Sequence, residues 1–222
     1  GEGANLRGRA IDTSQPLPPD LRDLQQTVIE PGPALQRRAQ QGDSPQGTLL
    51  LRHPRTGVLI WSGPATAELP PEVLESPARR ALAQRLLGGD SAVWLLLEAG
   101  DPRRDAAAAA LLEDELEVQE RTLALPVEGL DLAISFSLLR VSRDDPQEQV
   151  LVHTLLGTEG DLADSREPMA FPVFGRGRVL YALVGKGITR ANVREACAFL
   201  TGPCACEIKD DNPGHDLLMA AD

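Results

Sequence analysis

The chain has 222 residues, of which 42% are hydrophobic and 25% charged, and a formal net charge of −11. That composition belongs to the soluble globular class, and no stretch approaches the roughly 18 apolar residues of a membrane helix. The first 90 residues carry 10 acidic and 10 basic side chains and the remainder 23 and 12. The whole charge excess therefore lies in the second part, whose surface repels phosphate and disfavours nucleic acid as a partner.

Leu6 to Ile11 reads as a short strand, and the proline-rich stretch from Thr13 to Pro33 as loop, with Asp20 capping one or two helical turns. The chain opens on glycine rather than methionine, as a processed or truncated N-terminus would, and whether a leader, or an N-terminal strand and helix, preceded it stays open. Pro33 suits the first turn of a short helix through Ala39. Thr48–Arg52 and Val58–Trp61 flank a loop with Pro54 and Gly57, the pattern of a hairpin that Gly63-Pro64 ends. Of two helical stretches after it, the firmer spans Pro77 to Leu87 and stops at Gly88-Gly89.

Ala92 to Leu97 lacks any polar residue and predicts a strand buried on both faces. Asp101-Pro102 starts a helix, with Asp as cap and Pro in the first turn, that runs to about Thr122. Its Ala106–Ala110 run has high helix propensity. Leu132, Ile134, Phe136 and Leu138 alternate with smaller residues and predict a strand. Asp145-Pro146 repeats the helix start for a helix ending near Leu156. Met169–Phe174 and Arg178–Val184 form a second hairpin around Gly175-Arg176-Gly177, and a last helix covers about Thr189 to Leu200. The order from residue 92 is strand, helix, strand, helix, strand, strand, helix. Its first two crossovers should place parallel neighbours, with the hairpin as an antiparallel edge.

That order resembles the thioredoxin fold over residues 92–202. The resemblance implies a cis-proline before the final hairpin, at Pro168 in Glu167-Pro168-Met169, with Gly185 closing the hairpin 17 residues on. Pro45 and Gly63 frame the first hairpin at a spacing of 18. Together they suggest a degenerate repeat. The expected fold is α/β, with two thioredoxin-like halves built on mixed sheets that carry an antiparallel hairpin at one edge. Residues 1–90 would form an incomplete first domain and residues 91–222 the second, able to fold independently. The family's Cys-x-x-Cys is missing: its place after the first strand reads Glu98-Ala99-Gly100-Asp101. The segment from Met169 to Arg178, the Cys204-Ala205-Cys206 triplet and Asn212-Pro213-Gly214 resemble a group of uncharacterised bacterial proteins, often exported, with no assigned activity. That likeness leans towards a periplasmic or exported location.

Cys197, Cys204 and Cys206 are the three cysteines, an odd count that makes no disulfide scaffold. Cys204, Cys206 and His215 are candidate metal ligands, short of the four a structural zinc site uses. Cys197 shares a helix face with Val193 and Leu200 and reads as core. A disulfide or redox role for Cys197, Cys204 or Cys206, a metal site, and plain packing all stay open. Gly175-Arg176-Gly177 joins two strands and is a turn rather than a dinucleotide fingerprint, which opens a helix. Ser91 in Gly89-Asp90-Ser91 precedes its strand, where nucleophilic serines do not sit. His53, His153 and the pair Asp144-Asp145 read as surface, packing and capping residues. No catalytic residue and no cofactor is expected. The residues favour a non-catalytic binding or structural module for an unidentified protein partner. The alternative is a thiol-redox or metal-handling protein using Cys204 and Cys206.

Overall fold

The structure is a computed structural model that describes residues 29–31, 48–53, 56–64, 70–123, 133–202, 215–217 and 219. The chain divides into two compact units. The first takes residues 1–75, 153–164 and 220–222, and the second residues 76–152 and 165–219. The expected strand at 6–11, the turns after Asp20, the helix from Pro33, and Cys204 and Cys206 lie outside the described residues.

The first unit carries an antiparallel sheet of three strands, β1 (Ile29–Pro31), β2 (Thr48–Arg52) and β3 (Leu59–Pro64), in that order. The β2–β3 hairpin is the one expected. The strand at 29–31 was expected as loop: its backbone pairs residues 49–51 although proline ends it. Proline tolerates the end of an edge strand, where no ladder donor is needed. Gly63 and Pro64 extend β3 instead of ending it, and the Trp61 ring lies so close over Gly63 that a Cβ there would strike it. Side chains fasten residues 153–164 to this hairpin. Thr56 Oγ1 donates to the Gly157 carbonyl at 2.7 Å, and His153 Nδ1 donates to the Ile60 carbonyl at 2.9 Å.

The second unit is built on a mixed sheet. Its helix α1 (Pro77–Leu87) begins at Ser76, whose side chain accepts from Arg79 N–H. Strand β4 (Ala92–Glu98) follows, then α2 (Pro102–Thr122), β5 (Phe136–Ser142), α3 (Gln149–Leu156), β6 (Met169–Phe174), β7 (Arg178–Val179), β8 (Leu183–Val184), α4 (Arg190–Thr201) and β9 (His215–Asp216). The strand order is β5-β4-β6-β7-β9, with β8 also on β6. The boundary between the units crosses α3 after Val152. No helix among the described residues is long and apolar enough to cross a membrane.

β4 is the central strand. It pairs in parallel with β5, Ala92 opposite Phe136 through Glu98 opposite Ser142. On its other side it pairs antiparallel with β6, Leu97 opposite Met169. The second expected crossover, from β5 to β6, therefore makes neither neighbours nor a parallel pair. Every side chain from Ala92 to Leu97 is 0% exposed, as an uninterrupted apolar run predicts for a strand covered on both faces. Ala92, Trp94 and Leu96 pack with Ala108, Leu112 and Leu116 of α2 and Val193, Cys197 and Leu200 of α4. Val93, Leu95 and Leu97 alternate onto the opposite face. Helix α1 contacts β4 and β5 without joining the first cluster, and its Leu82 is fully buried.

Three boundaries differ from expectation, each for a physical reason. β5 covers residues 136–142 rather than 132–138, because the parallel register against the seven residues of β4 fixes its ends. The segment expected as one strand from Arg178 to Val184 is split into β7 and β8. The break faces Pro172, whose carbonyl accepts from Leu180 N–H at 3.0 Å. A residue's N and C=O point to the same side of a strand, so the proline's missing N–H falls on that same side and the ladder lacks a bond there. Helix α3 starts at Gln149 instead of Pro146. Asp145 caps a turn instead, its Oδ1 accepting from Gln147 N–H at 2.9 Å.

The expected cis bond at Pro168 is absent: Glu167–Pro168 is trans, as are all described peptide bonds. Trans is the favoured form of an X–Pro bond by about 0.5–1 kcal/mol, and Gly185 N–H still meets the Pro168 carbonyl at 2.8 Å. One support for the thioredoxin resemblance is thereby removed.

Candidate functional site

In open α/β sheets, ligands gather beyond the carboxyl ends of the strands. Here that place is the end of β4, where the chain turns into α2 through Glu98-Ala99-Gly100-Asp101. Gly100 makes the turn at φ +86°, a conformation other residues avoid. Asp105, 4% exposed, reaches back from the first turn of α2 and accepts from Ala99 N–H at 2.8 Å and Gly100 N–H at 3.0 Å. Asp101 caps the helix, its Oδ1 accepting from Arg103 N–H at 3.0 Å and Arg104 N–H at 3.2 Å. Two carboxylates thus occupy the N–H groups that would otherwise attract an anion.

The surrounding charges pair with one another. Arg104 joins Asp101 at 3.1 Å and Glu167 at 2.9 Å, and Arg140 Nε donates to Glu98 at 2.7 Å. The backbone N–H of Arg104 and then its side chain hold the Asp101 carboxyl below the usual carboxylate range. Beside them Arg143 is 8% exposed. Its Nη1 donates to the Ser165 carbonyl at 2.7 Å, and its Nη2 lies 3.9 Å from the Met169 sulfur. Burial lowers its pKa, and the neighbouring positive charge of Arg166 adds to that. Residues 99–104 line an open pocket of about 600 Å³. It offers hydrogen-bonding carboxylates and guanidinium groups, and neither thiol, histidine nor hydroxyl.

The one cysteine within the described residues lies elsewhere in this unit. Cys197 is a free thiol on α4 and is 0% exposed. Burial pushes its pKa up to about 12, against a weaker opposing pull from the Trp94 side chain, while Glu115 and Glu120 raise it further. The Trp94 indole N–H finds no acceptor at hydrogen-bond geometry, so its attraction for the sulfur is weak. A thiol this buried and this reluctant to ionise makes a poor nucleophile at neutral pH.

Glu115 stands in the same layer at 1% exposure. Its Oε1 accepts from Gln119 at 2.7 Å, and Arg190 and Arg194 of α4 approach at 3.3 and 3.4 Å. This pins α2 to α4. Sequence reading passed over Glu115, Asp105 and Arg143. For Glu115 a signal existed: with Ala108, Leu112 and Gln119 it falls on the i, i+4 stripe that is buried.

The other residues singled out by sequence are scattered. Asp90 accepts from the hydroxyls of Ser135 and Ser137, and Ser91 N–H donates to the Ser135 carbonyl, so Gly89-Asp90-Ser91 ties β5 to β4. His53 is 3% exposed, with its Nδ1 accepting from Thr56 N–H at 3.4 Å. His153 serves the Ile60 carbonyl. Gly175-Arg176-Gly177 is the β6–β7 turn, with φ +58° and +93° at its glycines. His215 lies in β9 opposite Val179, and among the described residues no group of three His, Cys, Asp or Glu side chains could hold a metal ion. Compared with known proteins, the chain matches no family model, no curated protein and no solved structure.

Proposed function

We propose that the chain is a non-catalytic binding or structural module made of thioredoxin-like halves, taking a protein partner of unknown identity. Support for the fold is uneven. From Ala92 to Thr201 the elements follow the order on which the resemblance rests. In the first unit the support is a single hairpin, and at Pro168 the resemblance is weakened by a trans bond.

The observation that carries the non-catalytic reading is the occupied amino end of α2. Asp101 and Asp105 cap the N–H groups that would activate a nucleophile, and the described residues lining the pocket carry no thiol or hydroxyl. The competing reading, a thiol-redox or metal-handling protein, rests on the Cys204/Cys206 pair and His215 in the sequence. Titration of thiols in the folded protein, before and after reductant, separates the two. The module reading expects the count at Cys204 and Cys206 to be the same in both samples and Zn²⁺ to leave it unchanged. A pair that comes oxidised and is readily reduced, or that Zn²⁺ protects, would favour the competitor.

A further inference from the structure

We draw no further inference here: the strongest candidate, the open pocket at the amino end of α2 beside the buried guanidinium of Arg143, rests on a helix N-terminus whose N–H groups Asp101 and Asp105 already occupy, and nothing in the structure directs Arg143 or a ligand into it.

Discussion

The amino end of α2 and the face that α2 shares with α4 belong to one helix and have opposite characters. At the amino end, Asp101, Arg104 and Glu167 are exposed and paired, the backbone donors are taken by carboxylates, and the pocket lining holds no thiol. Two turns further on, Leu112, Glu115 and Leu116 pack against α4, where the sulfur of Cys197 is shut away from water. Thiol chemistry needs an accessible thiolate near positive charge. Among the described residues the accessible place lacks a thiol, and the one thiol, Cys197, is buried. The two regions should therefore answer perturbation differently: the interior through stability, the helix end hardly at all.

Trp94→Ala should give the largest effect. Trp94 is 0% exposed, and truncating such a side chain costs about 3–5 kcal/mol. Guanidinium unfolding followed by far-UV circular dichroism measures it, and a loss below about 1 kcal/mol would mean that the β4–α2–α4 layer is not the core. Glu115→Ala should cost less, about 1–3 kcal/mol, the range for leaving a buried donor, here the Gln119 amide, without its acceptor. The half-exposed Arg190 and Arg194 can turn to water, so the penalty of two stranded charges does not arise.

The pH dependence sharpens the contrast. Cys197 has a folded pKa of about 12 against an ordinary value of 9.0. Its proton is held more tightly in the folded state, so its contribution is complete below pH 9 and is lost as pH rises from 9 towards 12. Tyr181, raised mainly by burial, adds to the same trend. Stability should fall at up to about 1.4 kcal/mol per pH unit for Cys197 across that window, and Cys197→Ala should flatten the slope measured by urea titration at pH 8 to 11. Asp101 has the opposite sign. Its lowered pKa contributes stability above the ordinary carboxylate range that is lost as pH falls through the folded value. Asp101→Asn keeps an oxygen for the cap and should produce the smallest change of the set, confined to the acid limb of a thermal-melting profile. A loss as large as that of Trp94→Ala would erase the distinction between the two regions.

Much of the fold was legible because local signals and burial agreed. Ala92–Leu97 is apolar throughout and lies in the middle of the sheet. Pro77, Asp101-Pro102 and Thr189 are helix starts that the structure uses as such. Where tertiary pairing overrules the local pattern, sequence reading slipped. The alternation from Leu132 suggested a strand, and pairing with β4 moved it to Phe136–Ser142. Pro172 carried the information that splits β7 from β8, through a missing donor one strand away. The site was legible only in what it lacks: Glu98-Ala99-Gly100-Asp101 shows the want of sulfur directly. The fastening by Asp105, the burial of Arg143 and the Glu115 clasp depend on which side chains meet across elements, and one-dimensional spacing does not encode that.

Insulin reduction with dithiothreitol as electron donor, run on the wild type and on the Cys204→Ser/Cys206→Ser double variant, tests the central claim most directly. An exchange catalyst needs a thiol that is both exposed and poised to ionise. The amino end of α2 has none, and Cys197 is buried with its pKa raised to about 12. Both proteins should leave the rate at that of dithiothreitol alone. Turnover by the wild type that vanishes in the double variant would contradict the account and make the C-terminal cysteine pair the working part of the molecule.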